Sequence, residues 1–405
     1  MHDLNRDAGD KAIPPVTWSI GADSLFMVGP LARLGSRSGS LKPDIPLAIR
    51  HMLVFVLVAW VPLVILAALE GNLYSSEPGR ASFIRDVGAL ARYAIAGPLL
   101  LAADAVAVAA LSRMADRFFE LCAPTGAEHA RLVAAFVSVR KLRDAPLASL
   151  VIVALAYIIS IATVPSLPLS ELPAWHLEAA GHTMSWAGWW SLLVSLPLLL
   201  TLLLRWIWRL ILWARFLRLA SRVDLQLIPV HPDKAAGVAF LGYSLRACCL
   251  AGAALGAMFA GAVGNQVLYK GATLADYQFV IAGLVVCTVA LFIAPLLAFS
   301  GKLLEVWRRG VHDYDELASE FGRQFEREWF GREHKEPVNM LDRGDFSAGT
   351  DLFQVADRVH EMRLVPVDLL SIAILAGATL VPFVPILFLV LPFDKVLRFV
   401  FGILH

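Results

Sequence analysis

The chain has 405 residues, of which 58% are hydrophobic, and its mean hydropathy is +0.67. Soluble domains contain roughly 45–50% apolar residues, so this composition excludes an ordinary soluble protein. The 35 basic and 34 acidic residues leave a net charge of +1, which excludes a strong global attraction to nucleic acid.

Residues 1–46 form an N-terminal tail that is rich in Gly, Ser and Pro and precedes the first apolar run. The tail contains no apolar stretch of signal-peptide quality. We therefore expect the first apolar run to act as a retained signal anchor, with a flexible or surface-lying tail in the cytoplasm.

Seven apolar runs are long enough to cross a bilayer as helices. A hydrocarbon core of about 30 Å needs roughly 20 helical residues, because each residue rises about 1.5 Å. The runs cover 47–70, 89–112, 147–165, 186–206, 239–264, 278–300 and 367–392. The sequence thus predicts an all-α polytopic transmembrane bundle of about seven spans, with six spans in 47–301 and the last in 367–405.

The charges of the connections predict the orientation. The connections 113–146, 215–238 and 302–366 contain six, four and ten Lys and Arg residues, whereas the alternating connections contain at most two. By the positive-inside rule the basic set, and with it the N-terminus, is cytoplasmic. Seven crossings place the C-terminus outside, but Pro382, Pro385 and Pro392 break the last run, so a re-entrant hairpin with six crossings stays open.

The longest connection, 302–366, is predicted to be a small helical cytoplasmic segment. Its first half carries apolar residues three and four positions apart, which define one helical stripe. The stripe consists of Leu304, Trp307, Val311, Tyr314, Leu317, Phe321, Phe325 and Trp329. Residues 334–350 are predicted to be a loop and 351–362 a second helix. We expect a compact helical hairpin, and contact with a second subunit is compatible with it.

Two ionisable residues lie within the predicted spans, where a charge is costly and indicates function by default. Asp104 lies roughly 13 Å from the inner boundary of the second span, and Arg246 roughly 10 Å into the fifth. Their opposite charges and similar depth favour an intramembrane ion pair or a wet cavity. The alternative is a protonated Asp104 bonded to a neighbouring helix, with Arg246 extended to the headgroups.

The fifth run also carries Gly252, Gly256, Ala260 and Gly264 at a spacing of four residues. Small residues at this spacing let two membrane helices approach closely. The pattern predicts tight helix packing, either within one bundle or between the subunits of a homo-oligomer.

A polar turn with His231, Asp233 and Lys234 precedes the fifth run. We expect Asp233 to cap that helix, and the helix start could hold an anion.

Glu171, His176, Glu178 and His182 lie in the external loop 166–185. These residue types bind metals, but their spacing matches no compact motif, so we interpret the region as an ordinary acidic loop. The sequence predicts no metal site, no cofactor and no catalytic constellation, and an enzyme is the least favoured class.

The stretch 224–237, together with 351–357 and 362–366 leading into the last run, resembles uncharacterised bacterial polytopic membrane proteins over the C-terminal half of the chain. That resemblance implies a bacterial inner-membrane location and no particular activity. On the residues alone, we favour a channel or transporter for an ion or small solute in a lipid bilayer. The alternative is a sensor or assembly scaffold that acts through 302–366.

Overall fold

A computed structural model describes residue 26 and residues 45–74, 81–123, 126–163, 173–177, 183–330 and 344–390. Most of these residues are helical, and among them β-pairing is limited to two isolated bridges, Cys122 with Leu225 and Leu177 with Met184. The predicted all-α class is confirmed.

Six helices are long and apolar enough to cross a membrane. They are α1 (Leu47–Leu69), α2 (Val87–Leu121), α5 (Trp186–Ala220), α6 (Ala239–Lys270), α7 (Leu274–Arg327) and α9 (Leu369–Phe388). The pair α3 (Gly126–Arg143) and α4 (Pro146–Ala162) is bent by 45° and provides a seventh crossing if it is one span. The chain is therefore a multi-pass membrane protein whose crossings coincide with the predicted apolar runs.

Several of these helices are interrupted within the membrane-length stretch. The breaks in α7 and α9 are short 3-10 segments, Ala294–Phe299 and Val381–Phe383, at Pro295 and Pro382. Proline causes such breaks because it removes a backbone donor and clashes with the preceding turn. Nevertheless α9 continues through Pro382 as one helix to Phe388, so the re-entrant hairpin does not form within the residues that are described. The predicted external C-terminus, 393–405, lies outside them.

Three Lys- and Arg-rich connections meet at one end of the bundle, which we call the basic end. The backbone N–H of Asp224 donates to the carboxylate of Glu128 at 2.9 Å, which joins the connection after α5 to α3. Lys234 pairs with Glu361 at 2.6 Å and so brings in the segment that precedes α9.

The described parts of three other connections, 70–74 with 81–86, 173–177 with 183–185, and 265–277, meet at the other end, which we call the opposite end. Here the Asn72 side chain donates to the Leu177 carbonyl at 3.3 Å. The Tyr269 hydroxyl donates to the Arg85 carbonyl at 3.0 Å. The two ends are therefore built from the two sets of connections that the charge pattern separates.

Part of the apolar stripe of α7 packs within the chain, through Phe321, whereas Leu317 stays exposed. In full, α7 extends past Arg327 to Phe330, and its last part, Ser300–Phe330, packs against α8, Gly344–His360. The rings of Phe321 and Phe353 meet edge to face at 6.3 Å, and His360 contacts Asp315 at 3.0 Å. Residues 344–350, which were predicted to be loop, already belong to α8, and 334–343 lie outside the described residues.

The small residues of α6 pack on two helices of the same chain. A Cβ at Gly256 would lie 2.0 Å from the backbone oxygen of Thr379 in α9, so a side chain does not fit there. Gly252 faces Leu375 and Thr379, and Gly264 contacts both Ile386 and Val87. Ala260 is buried in the same helix. This face of α6 therefore serves the bundle of a single chain.

Candidate functional site

Asp104 on α2 forms an ion pair with Arg209 on α5. The side chain of Arg209 is 0% exposed, whereas that of Asp104 keeps 31% of its surface. The guanidinium of Arg209 also lies over the ring of Trp206, 4.7 Å from its centroid. A buried cation requires such partners because removing it from water is costly.

Phe26 covers another side of Arg209. Its backbone carbonyl accepts a hydrogen bond from Arg209 Nε at 3.1 Å. Its ring packs edge to face on Trp213 and Phe216, with centroids 5.3 and 6.1 Å apart. Phe26 is 0% exposed, so the expectation of a flexible or surface-lying tail is wrong at this residue. The physical reason is that its ring completes a buried aromatic cluster.

Arg205 and His51 add to the charges around this pair. Arg205 precedes Arg209 by four residues and so shares its face of α5. Arg205 and His51, which belongs to α1, both lie within electrostatic range of Asp104. We call His51, Asp104, Arg205 and Arg209 the Asp104 cluster. Its two guanidinium groups and one carboxylate leave a surplus of one positive charge when His51 is neutral.

Three buried nitrogens at this site have no hydrogen-bond partner in the described part of the chain. They are Nη1 of Arg209, Nε2 of His51 and Nε1 of Trp213. Most buried polar atoms in proteins are hydrogen-bonded, so each unpaired one requires an explanation. Several unpaired nitrogens beside a surplus cation are typical of a site that receives a ligand with acceptor atoms.

The expected contact between Asp104 and Arg246 does not form, because each residue has another partner. Arg246 donates to Asp368 at 3.1 Å and to Ser371 at 2.8 Å, and both partners belong to the start of α9. Asp368 also accepts from the backbone N–H of Ser371 and so caps α9. Arg246 therefore links α6 to α9 at the basic end and is not the partner of Asp104.

Arg209 was absent from the sequence-based candidates because the stretch 206–213 mixes Trp and Arg as membrane interfaces do. The available signal was the spacing of Arg205 and Arg209, which puts two cations on one helix face. Two arginines on one face of α5 indicate a partner for Asp104 more directly than the similar depth of Asp104 and Arg246 does.

A second polar cluster lies at the opposite end around Asp86, which is 0% exposed. Its carboxylate accepts from the indole Nε1 of Trp175 at 2.9 Å, from Asn265 Nδ2 at 2.7 Å and from the backbone N–H of Ala89 at 2.8 Å. Burial alone would raise the pKa of Asp86, but the charge of Arg92 and these hydrogen bonds outweigh it, so the pKa is lowered. Asp86 is therefore an ionised N-cap of α2.

His176 lies beside this carboxylate, with its ring 3.7 Å from that of Trp175. Burial lowers the pKa of His176 to about 4, Asp86 opposes that effect and Arg92 adds to it. We call Asp86, Arg92, Trp175, His176 and Asn265 the Asp86 cluster. The other residues considered as metal ligands, Glu171, Glu178 and His182, lie outside the described residues.

Two π-helical segments face each other at the boundary of α2 and α5, and the one in α2 carries Arg92 of the Asp86 cluster. They are Leu90–Ala96 in α2 and Ser191–Ser195 in α5. The Tyr93 hydroxyl and the Ser191 hydroxyl are 3.2 Å apart and buried, so the segments are hydrogen-bonded to each other. Single π turns within α-helices occur frequently at functional sites.

The polar turn at the basic end is a structural element. The Asp233 carboxylate accepts backbone N–H bonds from Ala235, Gly237 and Ala239 at 2.9 to 3.0 Å. Burial opposes ionisation, but these bonds prevail and lower the pKa of Asp233. His231 Nδ1 lies 2.9 Å from the same carboxylate. The anion position at this helix start is therefore filled by Asp233 itself.

Lys234 attaches this turn to the segment that precedes α9. Its side chain pairs with Glu361, and its carbonyl accepts from the backbone N–H of Arg363 at 2.6 Å. Lys234 and Ala236 adopt φ values of 57° and 55°, a conformation that L-residues adopt only when their surroundings impose it. The turn is thus held in place from both sides.

No protein-family model, curated protein or solved structure matches the chain. The assignment of a function therefore depends on the two polar clusters and the helices that carry them.

Proposed function

We propose that this chain is a bacterial inner-membrane protein that moves an ion or small solute across the membrane, as an oligomeric channel or carrier. The observation that supports this most directly is the Asp104 cluster. Ionisable side chains within membrane helices are rare and usually mark a substrate or ion pathway.

Stability alone is a poor explanation for the pair of Asp104 and Arg209. Replacing a buried ion pair by well-packed apolar residues is often neutral or stabilising, so such a pair is weak evidence for a stabilising role. The Trp206 ring against Arg209 offers apolar surface on which such a replacement would pack. A role in handling a charged or polar solute accounts for the pair better.

The two clusters also share helices. Arg92 and Asp104 are both on α2 and are separated by roughly 18 Å along its axis at 1.5 Å per residue. The Tyr93 and Ser191 hydroxyls lie between them at the boundary of α2 and α5. Polar groups at successive depths along one helix boundary are what a solute path requires.

The positive-inside rule supports an orientation in which the basic end and the N-terminus face the cytoplasm. Thiol labelling of single-cysteine variants in intact and permeabilised cells tests it. We expect Glu316→Cys, at the basic end, to react only after permeabilisation. Asp276→Cys, at the opposite end, should react in intact cells, and the reverse pattern would refute the orientation.

Flux into liposomes containing the purified protein tests the proposed activity. We expect Asp104→Asn to lower the flux of the transported ion at least tenfold, because the variant loses the intramembrane carboxylate. Arg246→Gln is the matched control, since it changes one charge in an ion pair outside the cluster, and its flux should remain within twofold of wild type. Equal flux in Asp104→Asn and wild type would remove the cluster from the transport path.

A sensor or assembly scaffold is the second candidate function. It is supported by Leu317 and Phe353, which remain 54% and 50% exposed on the hairpin of α7 and α8. It is weakened by the packing of Phe321 on Phe353 within the chain. The test is a variant with both Leu317→Glu and Phe353→Glu. If this variant kept full flux in liposomes but no longer complemented a deletion of the gene in cells, the result would favour this candidate over transport.

A further inference from the structure

The charge of the Asp104 cluster is unbalanced. Among the described residues, Arg205 and Arg209 lie near one carboxylate, that of Asp104, and His51 lies within its electrostatic range. The buried thiol of Cys248 lies within electrostatic range of Arg209. Arg50 adjoins His51 and faces out of the bundle, and as a further cation it does not offset the surplus. A surplus cation at membrane depth is strongly favoured to take up a counter-anion, because an isolated charge in a low dielectric is costly.

The unpaired nitrogens around the cluster supply the donors that an anion needs. Arg209 is fully buried, and its Nη1 has no acceptor among the described residues. Trp213 Nε1 is buried and unpaired in the same way, one helical turn further along α5. An indole N–H is a donor only, so an acceptor is the partner that it lacks.

The carbonyl of Phe26 shows what kind of group fits beside Arg209. It accepts from Nε of Arg209, while the Phe26 ring contacts Trp213. A neutral carbonyl satisfies one N–H without neutralising the charge. Asp104 offsets one of the two guanidinium charges, so the cluster keeps one surplus positive charge and Arg209 keeps an unpaired Nη1.

Size and valence further restrict the ligand. The Trp206 ring lies against the guanidinium of Arg209, and the rings of Phe26 and Trp213 pack on each other beside it, so a bulky ligand would have to displace aromatic side chains. A surplus of one positive charge is neutralised by one negative charge. We infer that the Asp104 cluster binds a small monovalent inorganic anion such as chloride or nitrate, bound by Arg209 and Arg205.

The assignment rests on the proposed function for its physiological role, but binding is measurable without transport. The test is the thermal unfolding midpoint of the purified full-length protein in detergent at pH 8, titrated with sodium chloride or sodium nitrate. Sodium gluconate maintains constant ionic strength and serves as the bulky anion. A ligand that binds only the folded state raises the midpoint as its concentration passes the dissociation constant.

We expect chloride or nitrate to raise the midpoint saturably and gluconate to have no effect. Arg205→Gln should weaken the apparent affinity at least tenfold, since one unit charge within several ångströms is removed. Asp104→Asn should tighten it, because the competing carboxylate is lost. If both residues were merely structural, the two variants would not shift the anion affinity in opposite directions.

Arg246→Gln is the matched control and should bind anions as the wild type does. Wild-type protein that responds equally to all three anions, or Arg205→Gln and Asp104→Asn variants with unchanged affinity, would overturn the assignment. Anion binding without flux would support the site and refute transport. Flux of a cation with no anion-dependent midpoint would support transport and refute the anion site.

Discussion

The indole Nε1 of Trp175 donates to Oδ2 of Asp86 at 2.9 Å. This bond fastens the segment 173–177, between α4 and α5, to the first residue before α2. Because Asn265 of α6 donates to the same carboxylate, one buried anion connects three parts of the chain at the opposite end.

We expect Asp86→Ala to destabilise the protein by about 3–5 kcal/mol, the range for removing one partner from a buried charged network. The substitution leaves the N–H groups of Trp175, Asn265 and Ala89 without their acceptor. Trp175→Phe removes a single N–H and should cost about 1–2 kcal/mol. Denaturant unfolding in detergent measures both.

The control for this pair is Asp276→Asn, at the same end but on an exposed side chain. We expect little change in its unfolding free energy. If Asp86→Ala were as stable as this control, the carboxylate would have no role in fastening the three segments.

We expect acid to destabilise the protein through His176. The folded-state pKa of about 4 lies below the ordinary value of 6.5, so between these pH values the unfolded chain binds the additional proton. The stability contribution of neutral His176 is therefore complete above about pH 6.5 and is lost as the pH falls towards 4. Asp86 and Arg92 are the charged groups that face it.

Thermal unfolding midpoints between pH 8 and pH 4 test this dependence in wild type and His176→Gln. The variant cannot titrate in that window, so its midpoint should fall less on acidification. His312→Gln, at an exposed position on α7, is the control and should follow the wild-type curve. Parallel curves for His176→Gln and wild type would contradict the assignment.

We expect Gly256→Ala to destabilise the bundle by about 1–3 kcal/mol, the cost of inserting a methyl group into a closely packed interface. The added carbon would meet the backbone of Thr379, which has no room to move away without shifting α9. Gly283→Ala is the matched control, because nothing lies within 4 Å of its Cβ position. That control should be neutral or slightly stabilising, since Ala is the better helix former.

The number and place of the crossings were predictable because a hydrocarbon core selects for apolar length, which is a local property of the sequence. The helices extend beyond the predicted runs, as α2 does to Leu121 and α5 to Ala220, because hydropathy marks the lipid-facing length and not the end of hydrogen bonding. The position of Asp104 was predictable for the same reason, since a single carboxylate in an apolar run is conspicuous.

The hydrogen-bond and ion-pair partners of Asp86 and Asp104 were not predictable in the same way. Trp175 and Asn265 are 89 and 179 residues from Asp86, and nothing local to either residue indicates that contact. Asp86 also precedes its apolar run, so it did not qualify as an intramembrane charge. The pairing of Asp104 with Arg209 depends on which face of α5 packs against α2. Hydropathy gives the length of a helix and not its rotation about its own axis.

The π-helical segment of α2 lies between Asp86 and Asp104 and carries Arg92. A π turn holds one residue more than an α turn, so a one-residue deletion within Leu90–Ala96 that restored α geometry would leave the rotation of the helix beyond it nearly unchanged. A one-residue deletion between this segment and Asp104, with no π turn to absorb it, would instead rotate the helix by roughly 100° at 3.6 residues per turn, and Asp104 would no longer point at Arg209. The angular phase of this helix is therefore buffered at one short stretch, where natural insertions and deletions are tolerated, and is fixed in the stretch that follows it.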